Sequence, residues 1–325
     1  MLVSISVSII FLTLPFLFYF HGLTYKETFL TSDKIIYDYK VRVIGSNISL
    51  DRFYSNIEPV SVIKDLIDIS NPNKDDKTIF VWPEGILPDI YQKELVEYKW
   101  LFENRFNENH LLIIGTNSEV SKEANTNYYN SLSIYDQNLN LLYDYNKVNL
   151  VPFGEFLPFE KILKNIGLKV ITNNYHSFSR GNQREIIEIK REGSSLKILP
   201  LICYEIIYSG KLFKNENFDL IINISEDGWF GKSIGPNQHF AHSILRAIES
   251  GKYILRSANN GIAAIINPLG IVEKKVNFGE SGYIDFKESK KIKPTTFSKY
   301  GNKIFIILIF LYIFIIFSFN RIKNE

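Results

Sequence analysis

The amino-acid sequence predicts an α/β domain held between two apolar terminal helices. Three observations carry that expectation. Short apolar runs of strand length alternate with stretches of helical periodicity through the middle of the chain. Three of those runs stop abruptly in a charged or nucleophilic side chain. Both ends of the chain are apolar: residues 2–20 carry no charge, and 304–319 are almost wholly Ile, Leu, Phe and Tyr.

A bilayer core needs about 20 apolar residues in helical form. Residues 1–20 are therefore expected to form a transmembrane helix, and 304–319 a second, shorter one. A cleaved signal peptide is the other reading of the first stretch. No basic segment opens it and no small-x-small site precedes His21-Gly22, which argues against cleavage. A buried core helix is the other reading of the last stretch, but the Arg321 and Lys323 that follow suit an anchor. Between them, 21–38 reads as a connector, 39–287 as one globular domain and 288–303 as a basic tether. Within the domain, strands are expected at 41–44, 78–82, 111–115, 128–135, 139–145, 197–202, 220–223, 253–257 and 263–267. The runs at 128–135 and 139–145 form a hairpin around Asp136-Gln137-Asn138. Helices are expected at 57–70, 91–107, 206–213 and 238–250.

Composition excludes several functions. In 325 residues, 46% hydrophobic content supplies ample core, and a net charge of +2 gives no reason to expect a nucleic-acid partner. One cysteine cannot form an internal disulfide, so cysteine usage does not report the compartment. With no CxxC and five scattered histidines, no metal or other cofactor is expected.

The runs that end in reactive groups carry the chemistry. Ile198 to Ile202 delivers Cys203; Val81-Trp82-Pro83 delivers Glu84; and the stretch from Tyr145 to Glu155 presents Lys147 and Glu155. Strand ends are rigid and open, which suits reactive side chains. A thiol is mostly protonated near neutrality, so a nucleophilic Cys203 needs a base or a positive neighbour. Glu84 would take the thiol proton and later return one to a leaving group. Lys147 would stabilise thiolate and oxyanion, and Glu155 would keep Lys147 charged and oriented. Each residue has an ordinary reading too: Cys203 as a small core hydrophobe, Glu84 at a helix N-terminus, Lys147 in a solvated turn, Glu155 on the surface. Their joint occurrence in fixed order favours catalysis.

That order, Pro83-Glu84, then Lys147, then Cys203-Tyr204-Glu205, resembles the carbon–nitrogen hydrolase (nitrilase) superfamily and its Glu-Lys-Cys triad. The stretch Tyr145-Asn146-Lys147-Val148-Asn149-Leu150-Val151-Pro152-Phe153-Gly154-Glu155-Phe156-Leu157-Pro158 is similar to its apolipoprotein N-acyltransferase branch. So are Asn223 to Gly231 with Pro236, Gln238 and His239, and Arg256 to Gly261 with Pro268-Leu269-Gly270. The resemblance implies a nitrilase-like α-β-β-α sandwich flanked by transmembrane helices. It implies transfer of an acyl chain from a phospholipid, through a thioester on Cys203, to the N-terminal amine of diacylglyceryl-cysteine on an apolipoprotein. It further implies a multi-pass protein of the bacterial inner membrane with the domain on the periplasmic side. The lysines at 290, 291, 293, 299 and 303 would by themselves place it in the cytoplasm. Other readings of the same triad are a membrane-tethered amidase acting on a small amide, and a non-catalytic remnant.

Two departures stand out. The family carries a bundle of membrane helices before the domain, and this chain is expected to lack most of them. Glu226 stands in Ser225-Glu226-Asp227 where the family commonly has Asn or Thr. Trp229 and Phe230 between two glycines form either a mobile lip over the acyl chain or a buried aromatic turn. Tyr204 and Glu205, beside the nucleophile, are expected to contact substrate. His239 and His242 are assigned to packing or surface.

Overall fold

Alternation along the strands decides the layering. The computed structural model describes residues 2–54, 57–122, 125–159, 177–191, 194–210, 212–213 and 216–324. Its first half holds α1 (Leu2–Thr31), β1 (Ile35–Ser46), α2 (Pro59–Ser70), β2 (Thr78–Val81), α3 (Lys99–Phe102), β3 (His110–Lys122), β4 (Asn125–Asp136) and β5 (Leu141–Asn146). The second half holds β6 (Ile187–Arg191), β7 (Ser194–Ile202), β8 (Leu220–Glu226), α4 (Gly235–Ser250), β9 (Tyr253–Asn259), β10 (Ala263–Ile266), β11 (Val272–Val276) and β12 (Gly282–Ser289). A short α5 (Thr296–Tyr300) and α6 (Lys303–Asn324) follow.

Among the described residues, the strands run in the order β5-β4-β3-β2-β1-β9-β8-β7-β6, with β12 on β1 and β10–β11 on β9. β1 joins the two halves. It pairs in parallel with β2 from Lys40 to Val43, then Gly45 and Ser46 pair with Ala258 and Asn259 of β9. Side chains alternate faces with period two. Val41, Val43, Ile79, Val81, Leu111 and Ile113 from one half therefore meet Ile198, Ile222, Ile224 and Leu255 from the other in one core. The intervening Phe80, Trp82, Leu112 and Ile114 face outward against Ile63 and Leu66 of α2 and Phe102 of α3. Leu199, Leu201, Ile221 and Ile254 do the same against Ala247 of α4. The result is helix on sheet on sheet on helix. Each fully buried large aliphatic side chain contributes about 1.5–3 kcal/mol to holding the layers together.

Several expected boundaries move. The stretch 21–38, expected as a connector, carries the end of α1, which runs on to Thr31, and the start of β1 at Ile35. The helix expected over 91–107 is broken into a 3-10 turn at Leu95–Tyr98 and the short α3. Its start is pinned to β3 instead, where Gln92 N–H donates to Asn117 O at 2.7 Å. A 3-10 turn at Cys203–Ile207 replaces the start of the helix expected at 206–213, and residue 211 lies outside the described residues. Among the described residues no helix is long and apolar enough to cross a membrane. Large apolar side chains nonetheless face outward on α1, such as Phe16 and Phe18, and on α6, such as Phe310 and Phe317.

Gly115 of β3 shows how tightly one functional loop is laid on the sheet. A Cβ there would sit 2.5 Å from both Glu84 Cα and Pro83 O. Gly115→Ala is expected to cost about 1–3 kcal/mol in urea unfolding, the usual range for overpacking. It should also slow maleimide labelling of Cys203, because Glu84 must move. Wild-type values for both would show that the loop yields freely.

Candidate active site

The reactive side chains meet because their strands end on one edge of the sandwich. β2 stops at Val81 before Glu84, β5 at Asn146 before Lys147, β7 at Ile202 before Cys203, and β8 at Glu226 before Asp227. Ligand sites of α/β sheets gather at such carboxyl ends.

Lys147 is the centre. Its Nζ, fully buried, donates to Glu84 Oε1 at 3.0 Å and to Glu155 Oε1 at 2.9 Å. Asn130 Nδ2 reaches the same two oxygens, at 2.7 Å and 2.8 Å. The outer oxygens are also held: Glu84 Oε2 accepts from Glu226 N–H at 3.0 Å and Glu155 Oε2 from Val151 N–H at 2.8 Å. Burial by itself would lower the Lys147 pKa, but Glu155, Glu84 and Cys203 more than offset it, and it stands well above the ordinary lysine value. Lys147 thus stays an ammonium. Breaking such a buried pair costs roughly 3–5 kcal/mol, because a charge is left uncompensated.

Cys203 sits at the first position of its tight turn with φ +46°, a left-handed conformation that a residue with a Cβ adopts at a cost. The turn aims a buried thiol into the same cavity that Glu84 and Lys147 line. Burial first, then the Glu84 charge, push the thiol well above the ordinary cysteine range, while Lys147 pulls it down. That direction favours the thiol over the thiolate.

The cavity has a volume of about 390 Å³. Its walls are largely apolar, including Val151, Pro152, Phe178, Tyr204, Trp229 and Phe230. Trp229 and Phe230 keep 40% and 39% of their surface in solvent, so they form a rim and not a buried turn. Among the described residues, no group of His, Cys, Asp and Glu side chains could hold a metal ion.

Glu205 is placed elsewhere than expected. It is 0% exposed and does not line the cavity. Its oxygens accept from Tyr145 Oη at 2.8 and 2.9 Å, Arg184 Nη2 at 3.0 Å, and the backbone N–H groups of Val148, Asn149 and Ile202 at 3.0, 3.1 and 3.0 Å. With its lone pairs so occupied, Glu205 has little left for a substrate. It clamps the cysteine turn to the lysine loop, fixing the nucleophile against the ammonium.

His239 also departs from expectation. It is buried and lines the cavity, with Nδ1 2.8 Å from Asp227 Oδ1 and Nε2 3.2 Å from Cys203 O. Arg256 Nη2 donates to both Asp227 oxygens, at 2.9 and 2.6 Å. Burial would raise the Asp227 carboxyl, but Arg256 and then His239 outweigh it and bring it down to about 2. Asp227 therefore adds stability above the usual carboxylate range that is lost as pH falls towards about 2. Asn130 was missed as well, although Tyr129-Asn130-Ser131 stood in plain view on an expected strand.

Two outcomes are expected. Cys203 labelling by maleimide should have a pH midpoint above that of free cysteine, about 8.5. Glu84→Gln removes a like charge and should move the midpoint down; Lys147→Met should move it up. Shifts of the opposite sign would contradict the arrangement. His239→Ala should weaken the protein by about 1–3 kcal/mol and alter the rate of maleimide labelling at Cys203, whereas His239→Gln, which keeps an amide donor for Cys203 O, should stay closer to wild type in both. Equal losses would mean the bond to Cys203 is idle.

Known proteins match in sequence and fold. Residues 78–287 match the family described as carbon-nitrogen hydrolase. The chain is 36% identical over 292 residues to "Apolipoprotein N-acyltransferase" of Rickettsia prowazekii, covering 89% of this chain and 57% of that protein. It is 32% identical over 274 residues to the protein of the same name from Bradyrhizobium diazoefficiens, covering 81% of this chain and 50% of that one. The chain thus spans about half the length of the curated relatives it matches. Among solved structures, Saccharomyces cerevisiae Nit3, a member of branch 10 of the nitrilase superfamily, aligns with TM-score 0.53 and 16% identity, over 79% of this chain and 93% of that one. That likeness is one of fold. With the family match running from the strand before Glu84 to beyond Cys203, the chain belongs to the carbon–nitrogen hydrolase family.

Proposed function

We propose that this domain transfers an acyl chain through a thioester on Cys203, from a phospholipid to the N-terminal amine of the diacylglyceryl-cysteine of an apolipoprotein. One observation carries the reading: the buried Glu84–Lys147–Cys203 cluster opens on a cavity with apolar walls, suited to an acyl chain rather than a small hydrophilic amide. The likeness to proteins named apolipoprotein N-acyltransferase supports it.

In the first step Glu84 takes the Cys203 proton as sulfur attacks the ester carbonyl. The negative oxygen of the tetrahedral intermediate is stabilised by the Lys147 ammonium, which is preorganised by Glu155 and Asn130. Glu84 returns the proton to the departing lysophospholipid oxygen, leaving a thioester. In the second step the acceptor amine attacks the thioester, Glu84 removes its proton, and the new amide leaves as the thiol is restored. A thioester yields readily to an amine, so the two half-reactions use one site.

Both substrates of this reaction are lipid-anchored. The outward-facing apolar side chains of α1 and α6 suit attachment to a membrane, with the domain on the periplasmic side of a bacterial inner membrane. Attachment would raise the effective concentration of both substrates at the site. An amidase would use the same cluster with water as acceptor; a non-catalytic remnant would not need Glu84, Lys147 and Cys203 to remain assembled.

The test is acyl-enzyme trapping. The membrane-embedded protein is incubated with a phospholipid carrying a tagged acyl chain, without acceptor. Mass spectrometry is expected to find a hydroxylamine-labile adduct on Cys203. Cys203→Ser should give no such adduct, and Glu84→Gln should slow its formation by about 10²–10⁴-fold, the usual worth of a general base. No adduct on folded protein with lipid present, together with hydrolysis of a small amide, would replace this reading with the amidase.

A further inference from the structure

Glu226 is built into the wall of the Cys203 cavity. Its carboxylate ends β8 fully buried and pairs with Arg52 Nη2, which is buried as well. Asn259 Nδ2 donates to Oε2 at 2.7 Å, and Gly228 N–H to Oε1 at 2.8 Å. A Cβ at Gly228 would lie 2.7 Å from Glu226 Oε1, so a larger residue there would push the carboxylate from its place.

Each side of the pair leads directly to an aromatic ring at the cavity. Arg52 precedes Phe53, and its guanidinium lies 4.5 Å from the centre of that ring. Gly228 precedes Trp229. Phe53 and Trp229 pack against each other with centroids 4.9 Å apart, and both line the Cys203 cavity. The segments that carry them are far apart in sequence, and the buried ion pair ties them together. Backbone carbonyls of Ile48 and Ser49 hold the other arm of Arg52, at 3.2 and 2.9 Å, so the guanidinium cannot swing out without losing several bonds.

We propose that Arg52 and Glu226 form the latch of an aromatic gate, Phe53 against Trp229, which sets the width of the group that reaches Cys203 and admits an unbranched apolar chain in preference to a bulky one. The choice of chain as substrate rests on the acyl-transfer reading above; the gate itself does not. Arg52 and Glu226 are positioning residues, acting through the two rings.

Cys203 is the only cysteine in the sequence, so thiol reagents report on this site alone. The experiment compares labelling rates of the full chain with N-ethylmaleimide and with N-(1-pyrenyl)maleimide. The ratio of the bulky to the small reagent's rate is expected to rise about tenfold in Phe53→Ala and in Glu226→Gln, the scale on which a reshaped apolar pocket alters selection. Arg52→Lys, which keeps the charge, should fall between those variants and wild type. An unchanged ratio in Phe53→Ala overturns the gate, and that variant leaves the buried pair in place. A raised ratio in Phe53→Ala with no change in folded Glu226→Gln overturns the latch. Because neither reagent is an acyl donor, failure of the acyl-transfer reading would leave this result standing, and the reverse holds too.

Discussion

A single buried ammonium governs this site. Lys147 lies between two carboxylates that would otherwise repel each other in a low-dielectric interior, and it holds both within hydrogen-bond distance. Asn130 reinforces the same contacts without adding charge. The geometry of Glu84, Lys147 and Glu155 therefore stands or falls together, and no one of them is an independent feature.

The apolar layers make that concentration of charge tolerable. Three packed cores fix the strand directions, so the strand ends are delivered to one edge with little freedom. Buried polar groups then need partners, and two rows beside the Cys203 cavity show how the structure meets that demand. One is the lysine cluster. The other runs from Arg256 through Asp227 and His239 to the carbonyl of Cys203. Glu205 binds the cysteine turn to the lysine loop from below. Cys203 keeps its left-handed conformation because these contacts over-determine it.

The aromatic rim has a different character. Trp229 and Phe230 are part exposed, and Phe53 comes from a turn remote in sequence. Such surfaces are normally soft, yet here the guanidinium of a buried ion pair stacks on Phe53, which packs against Trp229. Rigid chemistry and a shaped entrance are thus joined through β8, whose last residue contacts Glu84 by its backbone and Arg52 by its side chain.

Much of this was legible in the sequence. Apolar runs of strand length ending in Glu84, Lys147 and Cys203 pointed to an α/β sheet with chemistry at its strand ends, because local hydrophobicity and turn residues report strands directly. Glu155 could be placed beside Lys147 by proximity in the chain. The helix expected at 91–107 failed because its start bonds to β3, a partner that periodicity does not register. Glu205, His239 and Asn130 were misread or missed for a related reason: a polar residue looks the same in sequence whether it meets water, substrate or a buried donor. Sequence alone therefore determined which strands carry the reactive groups and what those groups are. Only the tertiary structure decided which buried polar groups each one meets, since those partners lie up to 142 residues away along the chain and are chosen by the packing of the sheets.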